Sequence, residues 1–184
     1  MKEFELSKTS IYYGFIPEIL CKKINKEKIK KNFILNKRKN NFQSSSYFEY
    51  HQDYLNFQDD KEIFWIYDYV RDKFNLDHNV HLVMKEKSGI VLDKNESIGF
   101  HHHIYEKDRE NSPTYSLLYT VEKGQKPCYV IFEYSNLFRK QNHCKIEMRE
   151  NQFILFPSIL KHRISKNFNK EPLVNISFRL VQNR

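Results

Sequence analysis

From residue 78 to its end, the chain is a succession of short runs rich in aromatic and β-branched residues, separated by charged turns and with no helical period between them. The runs fall near 79–86, 90–93, 98–105, 115–121, 128–134, 145–148, 152–156, 161–165 and 173–181, which gives seven to nine short strands. A parallel sheet would need a crossover, usually helical, after each strand. Without such crossovers the block predicts an antiparallel sandwich, jelly roll or small barrel.

Helical patterns are confined to the front of the chain. Pro17 suits the first turn of a helix whose apolar residues Ile19, Leu20 and Ile24 form one narrow stripe, with lysines facing outward. A stronger pattern follows Asp59 and Asp60: Ile63, Tyr67, Val70 and Phe74 recur at i, i+4, i+7 and i+11, with Trp65 off that stripe at an edge. Both helices precede the strand block, so they are expected to pack on the outer face of one sheet. No internal repeat or Gly/Ser-rich linker divides the sequence, which predicts a single domain over residues 1–184: a helical part, 1–77, and a jelly-roll core, 78–184.

With 40% hydrophobic and 15% aromatic residues the chain is too rich in core formers to be disordered, and no apolar run is long enough to span a membrane as a helix. The formal net charge of +8 is local. Residues 22–39 hold Lys22, Lys23, Lys26, Lys28, Lys30, Lys31, Lys37, Arg38 and Lys39 against Glu27, so any weak attraction to an anionic partner belongs to that segment. Alanine is absent and lysine abundant, a skew that an A/T-rich coding sequence also produces. Cys21, Cys128 and Cys144 are odd in number and far apart, the usage of reduced thiols in a cytoplasm-like compartment. The N-terminus shows no apolar segment of the signal or anchor type, so the expected location is intracellular.

The first stretch that folding alone does not require is Ser97-Ile98-Gly99-Phe100-His101-His102-His103-Ile104-Tyr105. Alternate side chains of an extended strand share a face, so His101 and His103 are expected to point together and His102 away. The second stretch, Phe153-Ile154-Leu155-Phe156-Pro157-Ser158-Ile159-Leu160-Lys161-His162, brings an apolar strand into a proline turn and opens the next strand with a histidine. In a rolled antiparallel sheet that histidine can lie beside the His101 strand. A His-x-His pair joined by a distant imidazole is a donor set for a mononuclear non-haem iron site with open positions.

Phe156-Pro157-Ser158-x-Leu160-x-His162, preceded by His101-x-His103 and by the strand Ser116-Leu117-Leu118-Tyr119-Thr120-Val121, resembles the Fe(II)/2-oxoglutarate-dependent oxygenase superfamily, in particular the small oxygenases of phages and marine bacteria. The resemblance covers about residues 97–181, with weaker upstream echoes at Gln43-Ser44 and in the 60–74 helix. It implies a double-stranded β-helix of the cupin-like jelly-roll type, iron held by His101, His103 and His162, and 2-oxoglutarate as co-substrate of a hydroxylase. The superfamily's usual second ligand is a carboxylate, which residue 103 is not. Glu106 and Asp108 lie near enough in sequence to complete or replace a ligand, so a three-histidine site and a two-histidine, one-carboxylate site both stand. The family places an Arg or Lys for the far carboxylate of 2-oxoglutarate roughly ten residues past the distal histidine, where this chain has Glu171-Pro172-Leu173. On the strand that follows, alternation sets Asn175, Ser177 and Arg179 on one face, with Arg179 the available bidentate partner, and the resemblance adds the Tyr119 hydroxyl.

Two other classes fit the same residues. A cupin-type metal site needs the same histidines without 2-oxoglutarate, and a metal-free jelly-roll binding protein would use the 22–39 segment against an acidic partner. His143, His51, His78 and His81 read as surface or core residues. No Gly-rich nucleotide loop, His-Glu-x-x-His or Gly-x-Ser-x-Gly motif occurs. Nothing in the chain selects between a small-molecule and a protein substrate.

Overall fold

The computed structural model describes residues 9–39, 61–135 and 141–183, so Gln43-Ser44 and His51 lie outside the described residues. In chain order the elements are β1 (Tyr12–Phe15), α1 (Glu18–Cys21), α2 (Lys26–Lys39), α3 (Lys61–His78), β2 (His81–Leu92), β3 (Ile98–His101), β4 (Tyr115–Glu122), β5 (Tyr129–Ser135), β6 (Gln141–Glu147), β7 (Gln152–Pro157), β8 (His162–Ile164) and β9 (Leu173–Asn183). They form a five-stranded sheet ordered β1-β7-β4-β9-β2 and a four-stranded sheet ordered β3-β8-β5-β6, antiparallel throughout. This is the expected jelly roll with helices on one sheet. No helix among the described residues is long and apolar enough to cross a membrane.

The central strands of the larger sheet, β7, β4 and β9, are buried on both faces, and the period of two sorts their residues. Leu117, Tyr119 and Val121 of β4, with Val174, Ile176, Phe178 and Leu180 of β9, join Ile29 and Phe33 of α2 and Ile63, Ile66, Tyr67, Val70 and Phe74 of α3 in one core. The intervening residues face the smaller sheet, where Leu118, Ile154, Phe156 and Leu173 meet Ile98, Val130, Phe132 and Ile164 in a second core.

A register shift in β2 prepares the site. Met84 pairs with Leu180 but Glu86 pairs with Arg179, which leaves Lys85 as the extra residue of a β-bulge. Before it, Leu82 and Met84 pack toward the helices; after it, Val91 does so while Ile90 and Leu92 belong to the inner core. The bulge thus transfers the even-numbered residues of β2 to the inner face and carries Glu86 with them. It lies on an edge strand, and helix α3 covers the exposed backbone there. The buried Tyr67 hydroxyl donates to Leu82 O at 2.9 Å and accepts from Met84 N–H at 3.1 Å. Lys37 of α2 reaches the same edge further along, donating to Val91 O at 3.2 Å and pairing with Asp93 and Glu96.

One end of the sandwich is closed by polar groups that are fully engaged. Asn167, buried, donates to Leu92 O and Glu171 O, both at 2.9 Å, and accepts from the Asn169 backbone and side chain. Asn169 in turn holds Lys126 through its N–H and carbonyl.

Several sequence expectations need correction. Runs 79–86 and 90–93 are one strand, because Ser88 and Gly89 continue the pairing with β9. The strand expected over 98–105 stops at His101. The helix after Pro17 is a single turn with Ile19 exposed, and the real amphipathic face is Ile29 and Phe33 on α2. β1 was not expected, and it pairs with β7, so the helical front also supplies an edge strand. Of the basic segment, Lys26, Lys30 and Lys37 form ion pairs with Glu150, Glu122 and Asp93.

Replacing Tyr67 by Phe leaves the Leu82 carbonyl and Met84 N–H without their partner, and should cost about 1–3 kcal/mol of stability. Urea unfolding of the variant checks this; an unchanged midpoint would contradict the edge-covering role.

Candidate metal centre

His162 opens β8 and pairs across the ladder with His101 at the end of β3. An irregularity between Ile98 and His101 lets both face inward, while Phe100 turns outward beneath Lys161 and Arg163. His103 lies just past the end of β3, and its N–H donates to Ser158 O at 2.9 Å. The three imidazoles converge: ring centroids lie 4.3–5.0 Å apart and one ligand nitrogen from each falls within 4.8 Å of the others. His102 is not among them; its Nδ1 accepts from Ile104 N–H at 3.3 Å.

The hydrogen bonds decide which nitrogens face inward. His101 Nδ1 lies 2.9 Å from Gly99 O and His162 Nδ1 lies 2.9 Å from Leu160 O. A carbonyl only accepts, so both Nδ1 atoms carry the proton and both Nε2 atoms carry a lone pair. His103 Nδ1 meets Ser116 Oγ at 2.6 Å, and Ser116 Oγ meets Ser158 Oγ at 2.8 Å. A hydroxyl can donate or accept, so this pair of serines serves either tautomer of His103. The Nε2 atoms of His101 and His103 are 3.2 Å apart. Two lone pairs at that separation repel unless a proton or a cation lies between them.

Burial disfavours the protonated forms. His162 is pushed down to about 3, first by desolvation and then by the charge His101 would carry. His103 falls well below its ordinary value, again by burial and then through His162, and His101 is lowered mainly by burial. Phe156 and Phe132 wall the cluster, with centroids 4.7 and 6.0 Å from His162. Three neutral imidazoles converging beside an aromatic wall, each held from behind at Nδ1 by a carbonyl or hydroxyl, are the donor set of a borderline divalent metal such as iron or zinc.

Arg179 sits opposite Ser116 across β4 and β9, on the inner face, and its charge contributes to lowering all three histidines. It is not a frayed terminal residue: Nη1 donates to Glu86 Oε2 at 2.6 Å, and Tyr105 donates to Glu86 Oε1. Ser177 and Asn175 follow on the same face, both buried.

Three candidates from the sequence, Asp108, Glu106 and Tyr119, are not at the cluster. Asp108 is exposed, and its carboxylate accepts from Asn111 N–H and Nδ2 in a turn. Glu106 is exposed in the same loop. Because β3 ends at His101, the chain leaves the site before reaching either acid. Tyr119 faces the helices instead of the sandwich interior, and its hydroxyl donates to Asn151 Oδ1 at 3.0 Å; burial raises its pKa. His143, exposed, stacks on Phe100 at 5.7 Å outside the cluster. Ser116 and Ser158 had no assigned role in the sequence, although an inward serine on a strand otherwise apolar, and the serine of Phe-Pro-Ser, were the available signals.

No protein-family model matches the sequence, and no curated protein matches it. Solved structures match the fold. The viral collagen prolyl hydroxylase of Paramecium Bursaria Chlorella virus-1, solved with 2OG, superposes with TM-score 0.58 over 96% of this chain and 97% of that one, at 11% identity. The Pseudomonas putida prolyl-4-hydroxylase gives 0.58 over 96% and 89% at 8% identity. The chain has the fold of the 2OG-Fe(II) oxygenases. AviO1 from Streptomyces viridochromogenes Tue57 is also similar to it, with TM-score 0.63 over 94% of this chain and 90% of that one at 8% identity. Of two further solved structures the chain spans about half the length, 51% and 53%. Within this 2OG-Fe(II) oxygenase fold, the histidine cluster lies where the two sheets meet, away from the end closed by Asn167.

Replacing Ser116 by Ala removes the group behind His103 Nδ1 and should weaken divalent-metal affinity about 10–100-fold. Competition against a chelating dye measures it; an unchanged affinity would remove Ser116 from the site.

Proposed function

We propose that the protein is a non-haem Fe(II) oxygenase that consumes a 2-oxo acid of the 2-oxoglutarate class and hydroxylates a C–H bond of its substrate. The observation that carries this reading is the convergence of His101, His103 and His162 in a jelly roll shared with solved 2OG-Fe(II) oxygenases. His101, His103 and His162 would hold the iron, which supplies when bound the redox and oxygen chemistry that no side chain here has.

The chain's own residues do the rest. Gly99 O and Leu160 O fix the tautomers of His101 and His162, and Ser116 holds His103 at Nδ1. Phe132 and Phe156 keep water from one side of the cluster. Three neutral imidazoles leave the full charge of a divalent ion uncompensated, which favours an anionic co-ligand. Arg179 is the cation positioned to orient a carboxylate near the histidines, with Glu86 holding its guanidinium in place.

A second reading is favoured by the exposed position of Asp108: a three-histidine cupin-type metalloprotein that does not use a 2-oxo acid. One experiment separates them. Anaerobically iron-loaded protein should take up O2 and release CO2 in a 2-oxo-acid-dependent manner even without added substrate, and His162→Ala should bring both to background together with iron content. Iron binding with no 2-oxo acid dependence favours the second reading. Full turnover by His162→Ala would exclude this site.

A further inference from the structure

The inner face of the larger sheet carries a polar lane leading away from the histidines. Glu86 and Arg179 form its first pair, Ser88 and Ser177 the second, and Asn175 the third, beside Ile90 on one side and Thr120 on the other. Arg179 to Asn175 is four residues of extended strand, about 13 Å along β9. Beyond Asn175 the lane stops at Leu92 and Leu173, both fully buried, and at the Asn167–Asn169 plug.

Asn175 is the exception to the hydrogen-bonding of this interior. It is 0% exposed, and among the described residues neither its Nδ2 nor its Oδ1 has a hydrogen-bond partner. Asn167, equally buried, has every one of its polar side-chain atoms engaged. A buried carboxamide with donor and acceptor both unmet is costly to the fold, so it needs a reason outside the fold. The charges on the inward side of the described strands of this sheet are Glu86 and Arg179, which pair with each other at the histidine end. Among the described strands of this sheet no cationic residue flanks Asn175, whose neighbours are Ile90 and Thr120 and whose next inward residue is Leu173.

We infer that Asn175 is the specificity-determining residue for the far end of the 2-oxo acid, and that it selects an acid ending in an uncharged group that both donates and accepts, such as a carboxamide, over one ending in a carboxylate. A carboxylate offers only acceptors: it would answer Nδ2, leave Oδ1 unmet, and be buried without a counter-cation. A carboxamide answers both atoms at once and brings no charge. This inference rests on the metal and 2-oxo acid reading given above.

The test is calorimetric titration of the Mn(II)-loaded full chain, without oxygen, with 2-oxoglutarate and with its 5-amide. The amide should bind about fivefold tighter or more. Asn175→Leu, close in volume, should lose that preference and bind the amide about tenfold more weakly, with Mn(II) affinity unchanged and a thermal midpoint equal to or above that of the parent chain. Tighter binding of 2-oxoglutarate by the parent protein overturns the inference by itself, independently of whether the variant folds. Retention of the amide preference by Asn175→Leu also overturns it. Failure of the Mn(II)-loaded protein to bind either acid overturns the 2-oxo acid reading along with it, whereas a reversed preference leaves that reading intact.

Discussion

The molecule depends on β4 and β9 being covered on both sides. One set of alternate residues, from Leu117 to Val121 and from Val174 to Leu180, meets the helices and closes a core that needs no polar group. The other set is therefore free to differ, and it does: Ser116, Thr120, Asn175, Ser177 and Arg179 stand on the inner face among apolar neighbours. Stability and chemistry are divided between the two faces of the same strands. A one-residue slip in register would exchange them, which is why the bulge at Lys85 matters: it is the place where β2 changes its assignment and brings Glu86 to Arg179.

At the histidine end, desolvation and hydrogen bonding act together. Burial keeps the imidazoles neutral, and a partner behind each Nδ1 aims the lone pairs of His101 and His162 inward and allows His103 to do the same. Each effect alone would be weaker: neutral rings without fixed orientation bind metal poorly, and oriented but charged rings repel it. The Ser116–Ser158 pair matters because a hydroxyl can reverse its role, and a backbone carbonyl cannot.

Much of this was legible in the sequence. The strand runs, the His-x-His pair and the histidine after Phe-Pro-Ser marked the jelly roll and the members of the cluster, because hydrophobic periodicity and unusual polar residues are local signals. The faces were less legible. The resemblance offers the Tyr119 hydroxyl to the co-substrate carboxylate, but Tyr119 lies on the helix side, since a strand apolar on both sides does not say which set meets the helices. Asp108 lies close to the histidines in sequence, but the end of β3 at His101 sends it into solvent. Neither the bulge at Lys85 nor the irregularity before His101 is readable from composition, and the position of Glu86 depends on the first. The inward row of Asn175, Ser177 and Arg179 was recovered by alternation because β9 runs through those residues without interruption.

X-ray absorption at the iron edge of the Fe(II)-loaded protein tests the central claim most directly. The account predicts a first shell with three imidazole nitrogens, falling to two in His103→Ala. A protein carboxylate in place of one imidazole, or an unchanged imidazole count in His103→Ala, would contradict it.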